Sequence, residues 1–273
     1  MIAAVVIPIY KEHLSKHEIS SLRQCTEVLH RYDIYLVCPE GLSLDEYISC
    51  TNKPLNAIRF NRTFFEGISG YNHLMKEYNF YKSFENYNYI LIYQLDAWIF
   101  RDELEYWCGK NYDYIGAPWF YNFNGHEQGG LWDVGNGGLS LRKVKKFMYI
   151  TQNRNVRLKT IREIFQSEYN GIRDIFHCII RSLGPYIGNN SLRHFMKSTH
   201  ESLWEDAFFC IGLSNTRFRL SRPTPEEAAF FSFDKSPKYL YQNITKAKLP
   251  FGCHAWNKYQ YEEFWKDFLF PMS

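Results

Sequence analysis

The chain has 273 residues, enough for one large domain or two small ones and for a substantial buried core. Hydrophobic residues make up 45% and charged residues 22%, a globular balance that excludes a disordered chain. A net charge of +3 with no dense Lys/Arg block is too small to imply nucleic acid, and no nucleic-acid partner is expected.

The seven cysteines are scattered, odd in number and free of any C-x-x-C pair. That pattern reads as free thiols in a reducing compartment, not as a disulfide framework or a zinc site. The N-terminal run MIAAVVIPIYKEH is strand-length and lacks a basic leader or a small-residue cleavage site. A cytoplasmic protein is therefore expected, with neither signal peptide nor anchor. Aromatic residues reach 18%, with 21 Tyr and 22 Phe. Two causes fit: AT-rich codon usage, or rings that stack on the apolar faces of sugars.

In chain order, Ala3 to Ile9 is an apolar, β-branched run that reads as a buried first strand. A helix is expected from about Ser15 to Arg31, with Ile19, Leu22, Cys25, Thr26 and Leu29 on one face. Strands follow at Ile34–Cys38 and Asn56–Phe60, then a helix from Gly67 to Tyr81. Tyr89 to Asp96 reads as a buried strand ending in a carboxylate. Strands alternating with helices imply a largely parallel sheet, whose ligands bind beyond the carboxyl ends of the strands. Glu40 and Asp96 both fall at such ends. No repeat or linker divides the chain, so a single domain over 1–273 is expected: a nucleotide half at about 1–100 and an acceptor half beyond it.

Residues 151–200 carry eight Lys/Arg against three Asp/Glu, with Ile161, Ile164, Phe165, Ile172, Ile175, Phe176, Ile179, Ile180 and Leu183 at helical spacing and Gly171 as an interruption. Such a basic amphipathic segment either packs on the sheet with a solvated basic face or makes peripheral contact with an anionic membrane surface.

Four segments carry chemistry. In YQLDAWIF, Asp96 stands between apolar runs, where a charge is costly unless it meets a cation or donors. Either a metal bridging a nucleotide diphosphate or a capped turn answers that need. The Gly135-Asn136-Gly137-Gly138 cluster brings backbone close to a neighbour, yet it has the spacing of neither a dinucleotide fingerprint nor a P-loop. In SLWEDAFFC, Glu205 and Asp206 open a buried helix, as first-turn carboxylates or as a general base at the edge of a pocket. In KLPFGCHAW, His254 is a packing residue or completes a metal shell begun by Asp96.

Taken in order, YQLDAWIF, YDYIGAPW, GNGGLSLR, EDAFF and PFGCHAW resemble an uncharacterised bacterial family of GT-A-type glycosyltransferases, along nearly the whole chain. The resemblance implies an α/β fold of the GT-A (nucleotide-diphospho-sugar transferase) type, a Rossmann-like, mostly parallel sheet flanked by helices. It implies a nucleotide-sugar donor, a glycan or lipid-linked acceptor, and a place in bacterial surface polysaccharide synthesis. Asp96 aligns with the last Asp of the group's Asp-x-Asp, which reaches Mn²⁺ or Mg²⁺ and the diphosphate. His254 aligns with a C-terminal His that joins the metal, and Asp206, with Glu205 beside it, aligns with the catalytic base of inverting members. Gly137 and Gly138 align with a turn lining the sugar and acceptor. The chain departs at Gln94, where the group has its first Asp, so the expected site is a looser Mg²⁺ or Mn²⁺ site or one in which Lys or Arg meets the diphosphate. Glu40 is a candidate for the nucleoside, and Trp119, Trp132 and Trp256 for sugar stacking or for core packing. An inactive carbohydrate- or nucleotide-binding protein on the same frame, and a glycoside hydrolase using Asp96 and Asp206, are the other readings.

Overall fold

The computed structural model describes residues 1–123, 125–126, 129–185, 187–198 and 204–269. The first half alternates strands and helices: β1 (Ala3–Pro8), α1 (Lys16–Val28), β2 (Asp33–Pro39), α2 (Asp45–Ser49) and β3 (Asn56–Phe60). Two short helices, α3 (Gly67–Leu74) and α4 (Tyr78–Lys82), then lead into β4 (Tyr89–Tyr93) and β5 (Trp98–Ile99). After α5 (Leu104–Gly109) come β6 (Tyr114–Ile115), β7 (Pro118–Phe120), β8 (Leu131–Val134) and β9 (Leu139–Lys143). The remainder contains α6 (Val144–Gln152), α7 (Ile161–Glu168), α8 (Ile175–Ser182), α9 (Leu192–Ser198), α10 (Glu205–Ala207), α11 (Pro225–Phe231), β10 (Ser232–Phe233) and β11 (Gly252–Cys253).

The main sheet has six strands in the order β3-β2-β1-β4-β9-β6. β1 runs parallel to β2 and β4, and β2 to β3, while β9 is antiparallel to both its neighbours. The helices that cover the faces follow from side-chain alternation, since successive residues of a strand point to opposite faces. Along β4, Tyr89, Leu91 and Tyr93 join one cluster with Leu22 and Cys25 of α1 and Trp107 of α5. Ile90 and Ile92 join the other, with Phe80 and Tyr81 of α4 and Phe147 of α6. With both faces buried, all of β4 reads as one apolar run. β10, β11 and β5 form a small second sheet over a third cluster that includes Trp98, Phe120, Trp256 and Trp265.

Helix α1 starts where Ser15 and Glu18 form a reciprocal capping box, and it ends at Val28, three residues before the expected Arg31. The helix expected from Gly67 to Tyr81 is broken after Leu74, where Met75 and the buried Lys76 turn the chain before α4 begins at Tyr78. The strand expected to reach Asp96 stops at Tyr93, because Ala97 N–H closes a turn on Gln94 C=O at 2.9 Å. Asp96 therefore sits in a loop beyond the sheet. The single basic helix expected within 151–200 is three short ones, with Gly171 between α7 and α8 at a φ of 146°, a left-handed conformation that disfavours side chains. All seven cysteines are free. Among the described residues no helix is long and apolar enough to cross a membrane.

Candidate functional site

β1 and β4 point their carboxyl ends at a cavity of about 840 Å³, in the position where open α/β sheets bind ligands. Its walls include Lys11 just beyond β1, Asp96 after β4, Gly137 and Gly138 before β9, Asp206 on α10, and Lys258. A second cavity of about 220 Å³ adjoins it, lined by Trp119, Phe123, Lys235 and Tyr259. The two share a wall made of Gly137, Gly138, Trp204, Asp206, His254 and Lys258.

At one end of that wall, Asp96 faces two cations. Lys258 Nζ donates to Asp96 Oδ2 at 2.9 Å, and His254 Nε2 lies 3.1 Å from Asp96 Oδ1. Gln94 Oε1 is 3.2 Å from the same His254 Nε2, and Asp234 Oδ1 stands 3.6 Å from its Nδ1. Burial would raise the Asp96 pKa, but the hydrogen bonds from His254 and Lys258 outweigh it and hold the carboxyl below the usual carboxylate range. Burial likewise opposes the charge on His254, yet Asp234 and Asp96 raise its pKa to about 10. Asp96 and Asp234 thus balance His254 and Lys258, a closed set of two anions and two cations.

At the other end, Asp206 lies under the glycine turn. Gly137 N–H donates to Asp206 Oδ2 at 3.0 Å, and Ala207 N–H donates to Oδ1 at 2.8 Å. Burial and the neighbouring Glu205 charge nevertheless push the Asp206 pKa up to about 6, against the pull of those donors and of Arg142. A carboxylate raised toward neutrality at a cavity wall is suited to accept a proton near physiological pH.

Glu205 does something different from its neighbour. Arg142 on β9 donates to it twice, from Nη2 to Oε1 at 2.6 Å and from Nη1 to Oε2 at 3.0 Å. Arg142 is 0% exposed, and its Nε is satisfied by Ser140 Oγ at 3.0 Å. Both Glu205 oxygens thus accept from Arg142, whereas those of Asp206 accept only from backbone N–H groups. Glu205 anchors α10 to β9 and sets the field at Asp206.

The glycines are explained by what surrounds them. A Cβ on Gly137 would overlap the Glu205 carboxylate, and one on Gly138 would overlap the His254 ring. Gly138 C=O also accepts from Gln94 N–H at 2.8 Å, which ties the turn to the end of β4. Gly138→Ala is therefore expected to displace His254 and abolish binding of a cavity ligand while the sheet survives. Calorimetric titration with nucleotide diphosphates beside circular dichroism checks this.

The structure thus brings Asp96, Gln94, His254, Gly137, Gly138 and Asp206 to one wall. Glu40 is not brought there: it is exposed in the turn after β2, its N–H donating to Phe60 C=O, and it lines neither cavity. Trp119 lines the smaller cavity and Trp256 the larger, whereas Trp132 stacks on Trp119 at 6.3 Å and lines neither. Sequence reasoning missed Asp234, Lys258 and Arg142. The Lys258 spacing from His254 offered a weak signal; Arg142 looked like one more polar residue of an alternating strand.

The fold is that of the GT-A glycosyltransferases. Among solved structures the chain is similar to the galactosyltransferase LgtC, in complex with donor and acceptor sugar analogs. The two are 11% identical, with 92% of this chain and 86% of that one covered and a TM-score of 0.50. Core-mannan synthase A (CmsA/Ktr4) from Aspergillus fumigatus in its Mn/GDP form is more distant, at 11% identity, 76% and 71% coverage and a TM-score of 0.38. So is a glycosyltransferase involved in glycosylation of the major capsid of PBCV-1, at 10% identity, 96% and 97% coverage and 0.39. A family model matches residues 54–254, and the chain belongs to that family, described as a protein of unknown function (DUF5672). No curated protein matches it in sequence.

Proposed function

We propose that this protein transfers a sugar, with inversion, from a nucleotide-diphosphate donor to a hydroxyl of a glycan or lipid-linked acceptor in surface polysaccharide synthesis. The observation that supports this best is the shared wall. A transferase needs two substrates meeting at one base, and Asp206 borders both cavities. The larger one has the volume of a ligand site and adjoins the strand ends of the first hundred residues, as a donor half would. The smaller one offers Trp119, Phe123 and Tyr259 as stacking surfaces for an acceptor sugar. Donor half and acceptor half then belong to one domain, because residues beyond 200 complete the wall.

In this reading Asp206 accepts the proton of the acceptor hydroxyl as that oxygen attacks the anomeric carbon. The bond from the anomeric carbon to the diphosphate breaks, and the nucleotide leaves with the electron pair. Lys258 stands where that charge develops, and electrostatic stabilisation there is worth more than in water.

A divalent cation bound here would displace the proton that Asp96 and Asp234 otherwise hold on His254, because only the neutral imidazole ligates a metal. His254 presents Nδ1 to Asp234, the carboxylate support usual for a metal-bound imidazole, and Nε2 to Asp96 and Gln94. Among the described residues no group of three or more His, Cys, Asp or Glu side chains is placed to hold an ion. Asp96 and His254, with the neutral Gln94, would therefore hold Mn²⁺ or Mg²⁺ together with diphosphate and water oxygens. The ion would act as a Lewis acid on the leaving phosphate.

The test is nucleotide release from a panel of nucleotide sugars, with Mn²⁺, with Mg²⁺ and in EDTA. Release that needs an acceptor and falls at least tenfold in EDTA supports both the transfer and the ion. Full activity in EDTA leaves the charge to Lys258 alone. Binding of every donor without turnover, or cleavage of a glycan with no nucleotide present, overturns the transferase reading. Retention of anomeric configuration in the product, read by NMR, overturns the direct-displacement mechanism.

A further inference from the structure

Helix α8 turns its apolar side outward. Phe176, Ile179 and Ile180 lie on α8, with Ile172 in the 3-10 turn just before it and Leu183 at its C-cap. Ile172 is 84% exposed, Phe176 72% and Leu183 59%, and Ile187 just beyond is 74% exposed. The opposite side meets the protein through the buried Cys178. The neighbouring α7 buries Ile164 and exposes Ile161 and Phe165, again four residues apart. A contiguous apolar face of this kind marks an interaction surface, because water pays no return for it.

The charges of residues 151–200 are mostly positive, eight Lys/Arg against three Asp/Glu. Of the three acids within 151–200, Glu168 is paired with Lys159 and Arg181, Glu163 closes the N-terminal capping box of α7, and Asp174 accepts from Asn170 N–H. Arg162, Arg173 and Arg193 are exposed and form no ion pair among the described residues. An apolar helical stripe in a segment of net positive charge is complementary to an anionic lipid surface, where rings and aliphatic chains enter the acyl boundary and guanidinium groups meet phosphate. The same region reaches the site: Phe195 of α9 packs against Phe208, with ring centroids 5.4 Å apart and tilted by 30°, and Phe208 directly continues α10 after Asp206 and Ala207.

We propose that the α7–α8 face docks the protein on the surface of an anionic phospholipid bilayer, without crossing it. The inference stands independently of the sugar-transfer reading, since it rests on none of the residues lining either cavity.

The experiment is co-sedimentation of the full chain with vesicles of phosphatidylcholine alone and of phosphatidylcholine with phosphatidylglycerol. The expected result is binding to the anionic vesicles at least tenfold tighter than to neutral ones, weakened by raised salt. Ile172→Ser with Phe176→Ser and Leu183→Ser should cut that binding at least tenfold, as should Arg162→Glu with Arg173→Glu. These side chains are exposed, so unchanged circular dichroism and thermal midpoint are expected. Equal binding to both vesicle types, or undiminished binding by the apolar triple variant, overturns the proposal. A dimer in light scattering that dissociates in the triple variant, with no vesicle binding by the wild type, assigns the face to a second copy of the chain and also overturns it. Nucleotide release with a soluble acceptor should be the same in both variants and the wild type, so this outcome and that of the transfer assay are read separately.

Discussion

Asp206→Asn is expected to lower the rate of sugar transfer by roughly 10²–10⁴-fold, the usual contribution of a positioned base, with donor affinity nearly unchanged. The amide keeps the shape and one of the two acceptor atoms that Gly137 N–H and Ala207 N–H use, but it removes the basic oxygen. Single-turnover rates beside donor titrations separate the two effects. Equal losses in affinity and rate would instead make Asp206 a prop for the glycine turn. The pH dependence follows from the same group. With the Asp206 carboxyl near 6, kcat/KM should climb about tenfold per unit below pH 6 and level off above it.

Stability should move the other way. Asp206 titrates near 3.8 when solvated and near 6 when folded, so the folded protein holds the extra proton between those values. The stabilisation from the protonated form is complete below about pH 4 and is lost as pH rises through 6, a change of about 3 kcal/mol at most for a shift of roughly two units. Asp206→Asn should flatten that portion of the stability curve in urea unfolding. A site that is poised to accept protons is thus one that the folded protein holds at a cost.

The second large effect concerns the buried Arg142–Glu205 pair. Arg142→Ala is expected to destabilise the fold by about 3–5 kcal/mol, because it leaves the Glu205 carboxylate buried and uncompensated. Both members are almost fully buried, at 0% and 2% side-chain exposure, so solvent screening does not reduce the effect. Arg142→Met combined with Glu205→Leu should restore most of the loss, since replacing a buried ion pair by apolar groups of similar volume is often neutral. Urea denaturation of both variants checks the difference. If Glu205 were instead free to act on substrate, Arg142→Ala would change activity far more than stability.

Much of the fold was legible because strands buried on both faces leave an unmistakable mark. Ala3–Pro8 and Tyr89–Tyr93 are continuous apolar runs, and Asn56–Phe60 matched its expected bounds. The helix at Lys16–Val28 was legible from its apolar face, while the Ser15–Glu18 capping box that starts it appeared only in the structure. Helix ends were less so: the break after Leu74 has no Gly or Pro to announce it and depends on how Met75 and Lys76 pack. The basic segment was legible as helical and amphipathic, but its apolar face turned outward along α8, which no periodicity records.

The same division runs through Asp96. By itself, the sequence determined that a carboxylate follows the central strand, that a glycine turn precedes β9, and that Glu205-Asp206 opens a buried helix. Each is a local statement about residue type and chain position, and local order depends on neighbours a few residues away. Only the tertiary structure decided who meets whom: Asp96 with His254 and Lys258, some 160 residues later, and Glu205 with Arg142, 63 residues earlier. Two adjacent carboxylates of like chemistry thereby acquired different surroundings, Glu205 an arginine and Asp206 two backbone N–H groups. A charge's behaviour depends on burial and on the sign of what lies within a few ångströms, and the fold sets both.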